Sequence, residues 1–418
     1  MSGSELSDSG SLAFDEHVKQ VFQRVRISFS DLMYSVGSDP ARPQEAARKL
    51  GINKNLAWKV SRIIREDDPA SGLATMPGRE GLNIFLKATE KSGANKNGLT
   101  AVREALAEFD RMVELHSGDR DTLRLMLTGI SSDVDAQPIE ALRKSSYRGN
   151  SATWGVQARI QLCVNVIAPS DDDQWVDLAW LSGLIDFKRL RGDVRWPIAA
   201  ARKCDDSGKE IPLGEIHAID SDFDRPDCPP LMKDFCSSPI PDIRVVTAAD
   251  GLLRYELMDG PIGNTAVTTS VVGVYGRKFV RRCQVEGDKI GEHTARLNTP
   301  VELLIHELYV HESLEHALNP SVMLYSQLPS QPTYPLGGRD SYVLPFGEQI
   351  QKLGNNPPDM LQPELPEYPR KLRAMFESLG WDANQFFGFR FKMKYPPMPA
   401  VAVMRYDLAE SQNGQSKS

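Results

Sequence analysis

Apolar residues recur at steps of three and four along residues 15–36. Val18, Val21, Phe22, Val25, Phe29 and Leu32 fall on one arc there, which predicts a helix buried along that face. The helical pattern continues to about residue 131. A short helix and a second helix are predicted within residues 43–65. Three more follow near residues 79–91, 100–116 and 120–128, with Asp119 placed to cap the last. Residues 67–78 hold Pro69, Gly72, Pro77 and Gly78 and read as a linker.

After about Leu142 the pattern changes. Alternating or continuous β-branched runs predict strands at residues 155–168, 175–180, 242–247 and 265–274, and two closing strands at 387–395 and 400–408. Helices are predicted within this half near residues 300–318 and 370–379. The Pro-rich stretches 326–345 and 355–369 read as ordered surface loops. The expected fold class is α+β: a helical N-terminal region, then a β-rich, mainly antiparallel domain with inserted helices. The expected divisions are 1–13 unstructured, 14–68 a tri-helical module, 69–141 a further helical region, 142–409 the β-rich domain and 410–418 an unstructured tail.

Composition narrows the classes. With 41% hydrophobic and 25% charged residues in 418, the chain is ordinary globular protein, long enough for two or three domains. A net charge of -7 excludes a generally basic nucleic-acid coat, so any DNA contact must come from a local patch. The five cysteines, Cys163, Cys204, Cys228, Cys236 and Cys283, are spread out and form no CxxC pair. They read as free thiols in a reducing compartment rather than as a zinc or disulfide framework. No stretch approaches a membrane span, and the polar, acidic start lacks the order of a secretory signal. A cytoplasmic protein without membrane partner or cofactor is expected. A homo-oligomer is possible on this reading, and no effector or protein partner is named by it.

One segment carries a functional pattern. Residues 43–65 read PQEAARKLGINKNLAWKVSRIIR. Pro43 suits a first helical position, and Ala46 and Ala47 permit close helix approach. Leu50 closes the first helix on the core. Gly51 sits where a left-handed turn ends a helix, Ile52 plugs the core, and Asn53 can cap the second helix. Helical geometry puts Leu56, Ala57, Val60, Ile63 and Ile64 on one arc. Lys54, Asn55, Trp58, Lys59, Ser61, Arg62 and Arg65 fall on the other. From Arg42 to Arg65 there are seven Lys or Arg and one Glu, a local charge of +6 on an acidic chain.

Through Ala47, Leu50, Gly51, Ile52, Ala57 and Val60 the segment resembles the helix-turn-helix of bacterial transcription regulators. The helix at 15–36 would be the third member of the unit. The resemblance covers this segment only. It implies DNA binding, with Lys54, Asn55, Lys59 and Arg62 facing DNA, Arg48, Lys49 and Lys59 steering on phosphates, and Asn55 and Arg62 contacting bases. Trp58, at the centre of the exposed arc, either packs on DNA or docks on the second half of this chain, which would hide the face from DNA.

A second candidate lies at residues 299–320. Thr299 and Glu302 around Pro300 fit a capping box, so a helix is expected. The run offers His306, Glu307, His311, Glu312, Glu315 and His316. His306 and His311 are five apart, as HExxxH. This is similar to the dipeptidyl peptidase III type of zincin, but on a regular helix the two would diverge by about 140°. The plainer expectation is an apolar face of Leu303, Leu304, Leu308, Val310, Leu314 and Leu318 holding a half-buried Glu307–His311 hydrogen-bonded pair.

Weaker signals remain. Asp220, Asp222 and Asp224 start like a calcium loop, but Arg225 stands where Gly is needed and Leu231 where Glu is needed, which favours a turn with capping carboxylates. Asp171, Asp172 and Asp173 read as a loop tip. The basic stretch Arg277–Arg282 is either a second nucleic-acid contact or a charged edge strand. No GxGxxG, Walker A or GxSxG motif is present. The favoured function is a DNA-binding transcription regulator whose C-terminal domain senses, oligomerises or binds a partner. The alternatives are an interaction or scaffold protein and a metal-dependent or acid/base enzyme using Glu307 and His311.

Overall fold

In the computed structural model, which describes residues 13–130, 136–200, 203–204, 210–211, 214–225, 227–247, 253–328 and 342–410, the apolar arc of residues 15–36 is the centre of a helical unit. The chain divides into two units, Met1–Val134 and Asp135–Ser418. Helices fill the first and strands dominate the second, an α+β protein. The two ends expected to lack structure and the middle of the 326–345 loop lie outside the described residues, apart from residues 13 and 410 at their edges.

The first unit runs α1 (Phe14–Ser35), α2 (Pro43–Leu50), α3 (Lys54–Arg65), α4 (Pro69–Ala74), α5 (Arg79–Lys91), α6 (Lys96–His116) and α7 (Arg120–Ile130). Val18, Val21, Phe22, Val25, Phe29 and Leu32 of α1 are all buried. Burial of one such side chain is worth about 1.5–3 kcal/mol, so this single face is a large share of the unit's cohesion. α1 packs on α3, α4 and α6, and Phe29 meets Phe85 of α5 with ring centroids 5.5 Å apart. Asp119 caps α7 as expected, accepting from Asp121 N at 2.9 Å and Thr122 N at 2.8 Å.

The expected linker at 67–78 contains a short helix, Pro69–Ala74. Asp68 accepts from Ser71 N at 2.9 Å and Pro69 occupies the first turn, so α4 starts there. Gly72 reads locally as a breaker, but α4 uses it for a close approach. A Cβ there would lie 2.2 Å from Cε2 of Phe22 on α1.

The second unit begins with α8 (Ala136–Trp154), which the sequence reading did not separate from the β-rich region. There follow β1 (Val156–Pro169), β2 (Trp175–Arg189), β3 (Trp196–Ala200), β4 (Lys203–Cys204), β5 (Glu210–Ile211), β6 (His217–Ala218), β7 (Ile243–Thr247), β8 (Leu253–Leu257), β9 (Thr268–Arg281) and β10 (Ile290–Leu297). The chain continues through β11 (Val301–His311), β12 (Ser321–Ser326), β13 (Gln351–Asn355), α9 (Tyr368–Ser378), β14 (Phe386–Lys394) and β15 (Ala400–Asp407).

The main sheet has seven strands in the order β13-β14-β11-β1-β2-β9-β6. Among the described residues only the central β1·β11 pair of this sheet is parallel, with Cys163 opposite His306 and Val164 opposite Glu307. One face, carrying Leu162, Val164, Ile305 and Tyr309, packs on Leu372, Met375 and Phe376 of α9. The other, carrying Ile167, Leu304, Leu308 and Val310, packs on the smaller β10-β15-β12 sheet.

The helix expected at 300–318 is therefore corrected to a strand, β11, followed by a short turn of 3-10 helix at Glu315–Ala317. Both faces of β11 are covered, so its apolar run carries no clean two-residue alternation. Thr299 and Glu302 form no capping box. Thr299 Oγ1 accepts from Trp196 Nε1 at 2.8 Å.

Candidate nucleic-acid interface

α2 and α3 meet through a turn that their residues dictate. Gly51 has φ +66°, the left-handed conformation that ends α2. Ile52 N donates to Ala47 O at 3.0 Å, and its side chain is buried. Asn53 Oδ1 then accepts from Asn55 N at 2.7 Å and caps α3. At the far end of α3, Arg26 of α1 donates from Nε to Ile64 O at 2.9 Å, which ties the helix to the unit's centre.

The inner arc of α3 is as expected for Ala57, Val60, Ile63 and Ile64, all buried, while Leu56 is half-buried. Ser61 is a correction. It was expected on the exposed arc but is 3% exposed, because the buried side of α3 is wide enough to take it in.

The outer arc separates into committed and open side chains. Lys54, Asn55 and Trp58 are exposed, Trp58 to 45%. Lys59 and Arg62 are half-buried, and Arg48, Lys49 and Arg65 are exposed. Arg62 is held on both sides: its guanidinium carbon sits 5.4 Å from the Trp58 ring centroid, and its Nε is 3.5 Å from Glu66 Oε2. Lys49 Nζ donates to Gly37 O at 2.6 Å. Arg42 lies beside Asp39 and Glu45. Among the described residues Arg48, Lys54, Lys59 and Arg65 make no ion pair, and Arg48, Lys54 and Arg65 are exposed.

The other sequence candidates do not assemble into a second site. On a strand, residues five apart point to opposite faces, so His306 and His311 diverge. Nor do Glu307 and His311 pair, since four residues of strand separate them by about 13 Å. Glu307 is fully buried, and four donors surround it. Arg390 Nε and Gln362 Nε2 reach Oε1 at 2.5 and 2.6 Å; Tyr309 and Tyr368 hydroxyls reach Oε2 at 2.7 and 2.5 Å. Burial, then the adjacent carboxylate, pushes both tyrosines well above their usual pKa. With every lone-pair direction taken and no exposed atom, Glu307 is a satisfied core charge. His311 Nδ1 lies 2.9 Å from Ser313 Oγ at the strand end.

His306 faces the smaller sheet, with Nε2 3.4 Å from Asn165 Nδ2 and Nδ1 without a hydrogen-bond partner among the described residues. Burial, aided by His293, pushes its pKa down to about 3. Asp220 caps a short turn, accepting from Asp222 N at 3.2 Å, and Asp224 accepts from Ala218 N at 2.9 Å. Asp172 in the loop before β2 accepts from Gln174 N at 3.0 Å. In the basic strand, Arg277 pairs with Asp177 at 2.6 Å, Arg281 with Asp288 at 3.7 Å and Arg282 with Asp173 at 3.3 Å. That leaves little free cation for a nucleic acid.

Sequence reasoning missed the partners of Glu307. The signal was Glu307 inside the apolar run LLIHELYV and Arg390 inside FFGFRF, since a charge buried in such a run requires a counter-charge. No family model matches the chain, and no curated protein matches it.

Proposed function

We propose that the α2–α3 face binds double-stranded DNA and that the protein is a transcription regulator. One observation supports the reading: a short turn at Gly51 joins α2 to a helix whose outer side gathers Lys54, Asn55, Trp58 and Lys59, while α2 adds Arg48. Lysine and arginine without internal counter-charges favour phosphate contact through counterion release. Asn55, at the exposed start of α3, has the donor–acceptor pair that matches an adenine edge in the major groove. Arg62 is better suited to holding the Trp58 indole in place than to reading a base, because Glu66 already engages it.

The test is fluorescence anisotropy of the full chain on selected genomic duplexes at several salt concentrations. Binding should weaken steeply with salt. Arg48→Ala with Lys59→Ala should flatten the slope by about 2, and Asn55→Ala should relax sequence preference. Absence of binding to every duplex at low salt would refute the reading. It would turn attention to the exposed indole of Trp58 as a protein-docking contact.

A further inference from the structure

A half-open cavity of about 260 Å³ lies in the second unit, between the main sheet and the start of α9. Leu162, Ile185, Phe235 and Leu365 give it an apolar lining, and the Tyr368 ring forms part of the wall. The Tyr368 hydroxyl points away, to Glu307. The volume is just below the range usual for drug-sized ligands, so a single-ring molecule fits its scale.

The charged residues of the lining are mostly spoken for. Arg159 Nε donates to Asp186 Oδ2 at 2.6 Å, and its Nη1 donates to Glu364 O at 3.0 Å. Glu364 accepts from Lys392 at 2.8 Å, and Glu367 from Arg370 at 3.1 Å. Lys371 differs. Its Nζ sits 5.4 Å from the Phe235 ring centroid, and it has no ion pair among the described residues. An apolar hollow with one uncompensated ammonium selects an apolar body bearing one negative charge. A phosphate would call for a second cation or an arginine fork, and the Arg159 fork is already engaged.

We propose that this cavity is a binding site for a small aromatic or alicyclic monocarboxylate, with the ring against Leu162, Ile185 and Phe235 and the carboxylate on Lys371. The inference concerns the second unit alone and does not depend on the DNA reading.

The experiment is saturation-transfer NMR and calorimetric titration of the full chain with benzoate and 3-phenylpropionate. Benzamide and benzylamine serve as the uncharged and cationic comparisons. The carboxylates should bind, and the amide and amine should bind about tenfold more weakly or not at all. Lys371→Ala should weaken carboxylate binding by about tenfold, and Lys371→Arg should retain it. Ser237→Trp, at a residue lining the cavity, should abolish it with an unchanged circular dichroism spectrum. The proposal is overturned if neither carboxylate transfers saturation at about 10 mM. It is equally overturned if amide or amine binds as well as the acids, or if Lys371→Ala and correctly folded Ser237→Trp bind like the parent.

Discussion

Arg390 stands directly opposite Glu307 across the β14·β11 pair, and its Nε donates to the carboxylate at 2.5 Å with both side chains buried. The same guanidinium holds the 355–369 loop, donating to Leu361 O at 3.0 Å and Asp359 O at 3.3 Å. Removing it would leave a buried carboxylate short of its counter-charge and the loop short of two donors. Arg390→Met should cost about 3–5 kcal/mol. The double variant Glu307→Gln, Arg390→Met should recover part of that loss, because no charge is left stranded. Urea unfolding followed by tryptophan fluorescence measures both, since Trp381 packs against the same core. A loss below about 1 kcal/mol for the single variant would contradict this account.

His293 and His306 are fully buried, and burial pushes them down to about 4 and about 3, with His293 adding to the effect on His306. Tyr406 faces the first at 3.3 Å and Asn165 the second at 3.4 Å. The unfolded chain takes up these protons near pH 6.5, so below that pH it binds more protons than the folded chain does. Stability is fully present above about 6.5 and falls as the pH drops toward the two folded values. At pH 5 each histidine withdraws about 2 kcal/mol relative to neutral pH. Urea midpoints at pH 7 and pH 5 should differ less in a His293→Gln, His306→Gln variant than in the parent. Equal differences would remove the histidines from the explanation.

Two glycines of the helical unit should respond differently to alanine. Gly51 has φ +66° but open space around its missing Cβ, so Gly51→Ala costs only backbone strain, about 1 kcal/mol. Gly72→Ala places a methyl 2.2 Å from Phe22, whose ring is locked in the core. That clash should cost about 1–3 kcal/mol or more. Denaturation followed by far-UV circular dichroism should rank Gly72→Ala as the more damaging. The reverse order would mean that Phe22 yields and the turn does not.

If the α3 face contacts DNA, Glu66 restrains it by engaging Arg62 at 3.5 Å. Glu66→Gln should tighten DNA binding and steepen the dependence on salt by up to about 0.9, the contribution of one further phosphate contact. Anisotropy titrations across a salt series measure the slope. An unchanged slope would leave Arg62 as a support for Trp58 alone.

What the sequence determined by itself is local in origin. The α1 stripe, the Pro43 start, the Gly51 turn, the Asn53 cap and the Asp119 cap all follow from residues within a few positions of one another. Their backbone conformations and orphan hydrogen bonds are settled at that range. The closing strands Phe386–Lys394 and Ala400–Asp407 were legible for the same reason, with the prolines between them marking a break. What only the tertiary structure decided is non-local. Residues 301–311 carry leucines at helical spacing, yet they form a strand because β1 and β14 supply pairing on both edges and α9 and the smaller sheet cover both faces. Glu307 found Arg390, Tyr368 and Gln362 from more than fifty positions away, where no spacing rule reaches. The outer face of α3 lies between the two cases. Helical geometry named nearly all of its members, but the engagement of Arg62 by Trp58 and Glu66, and the burial of Ser61, are set by how the helix sits on its neighbours.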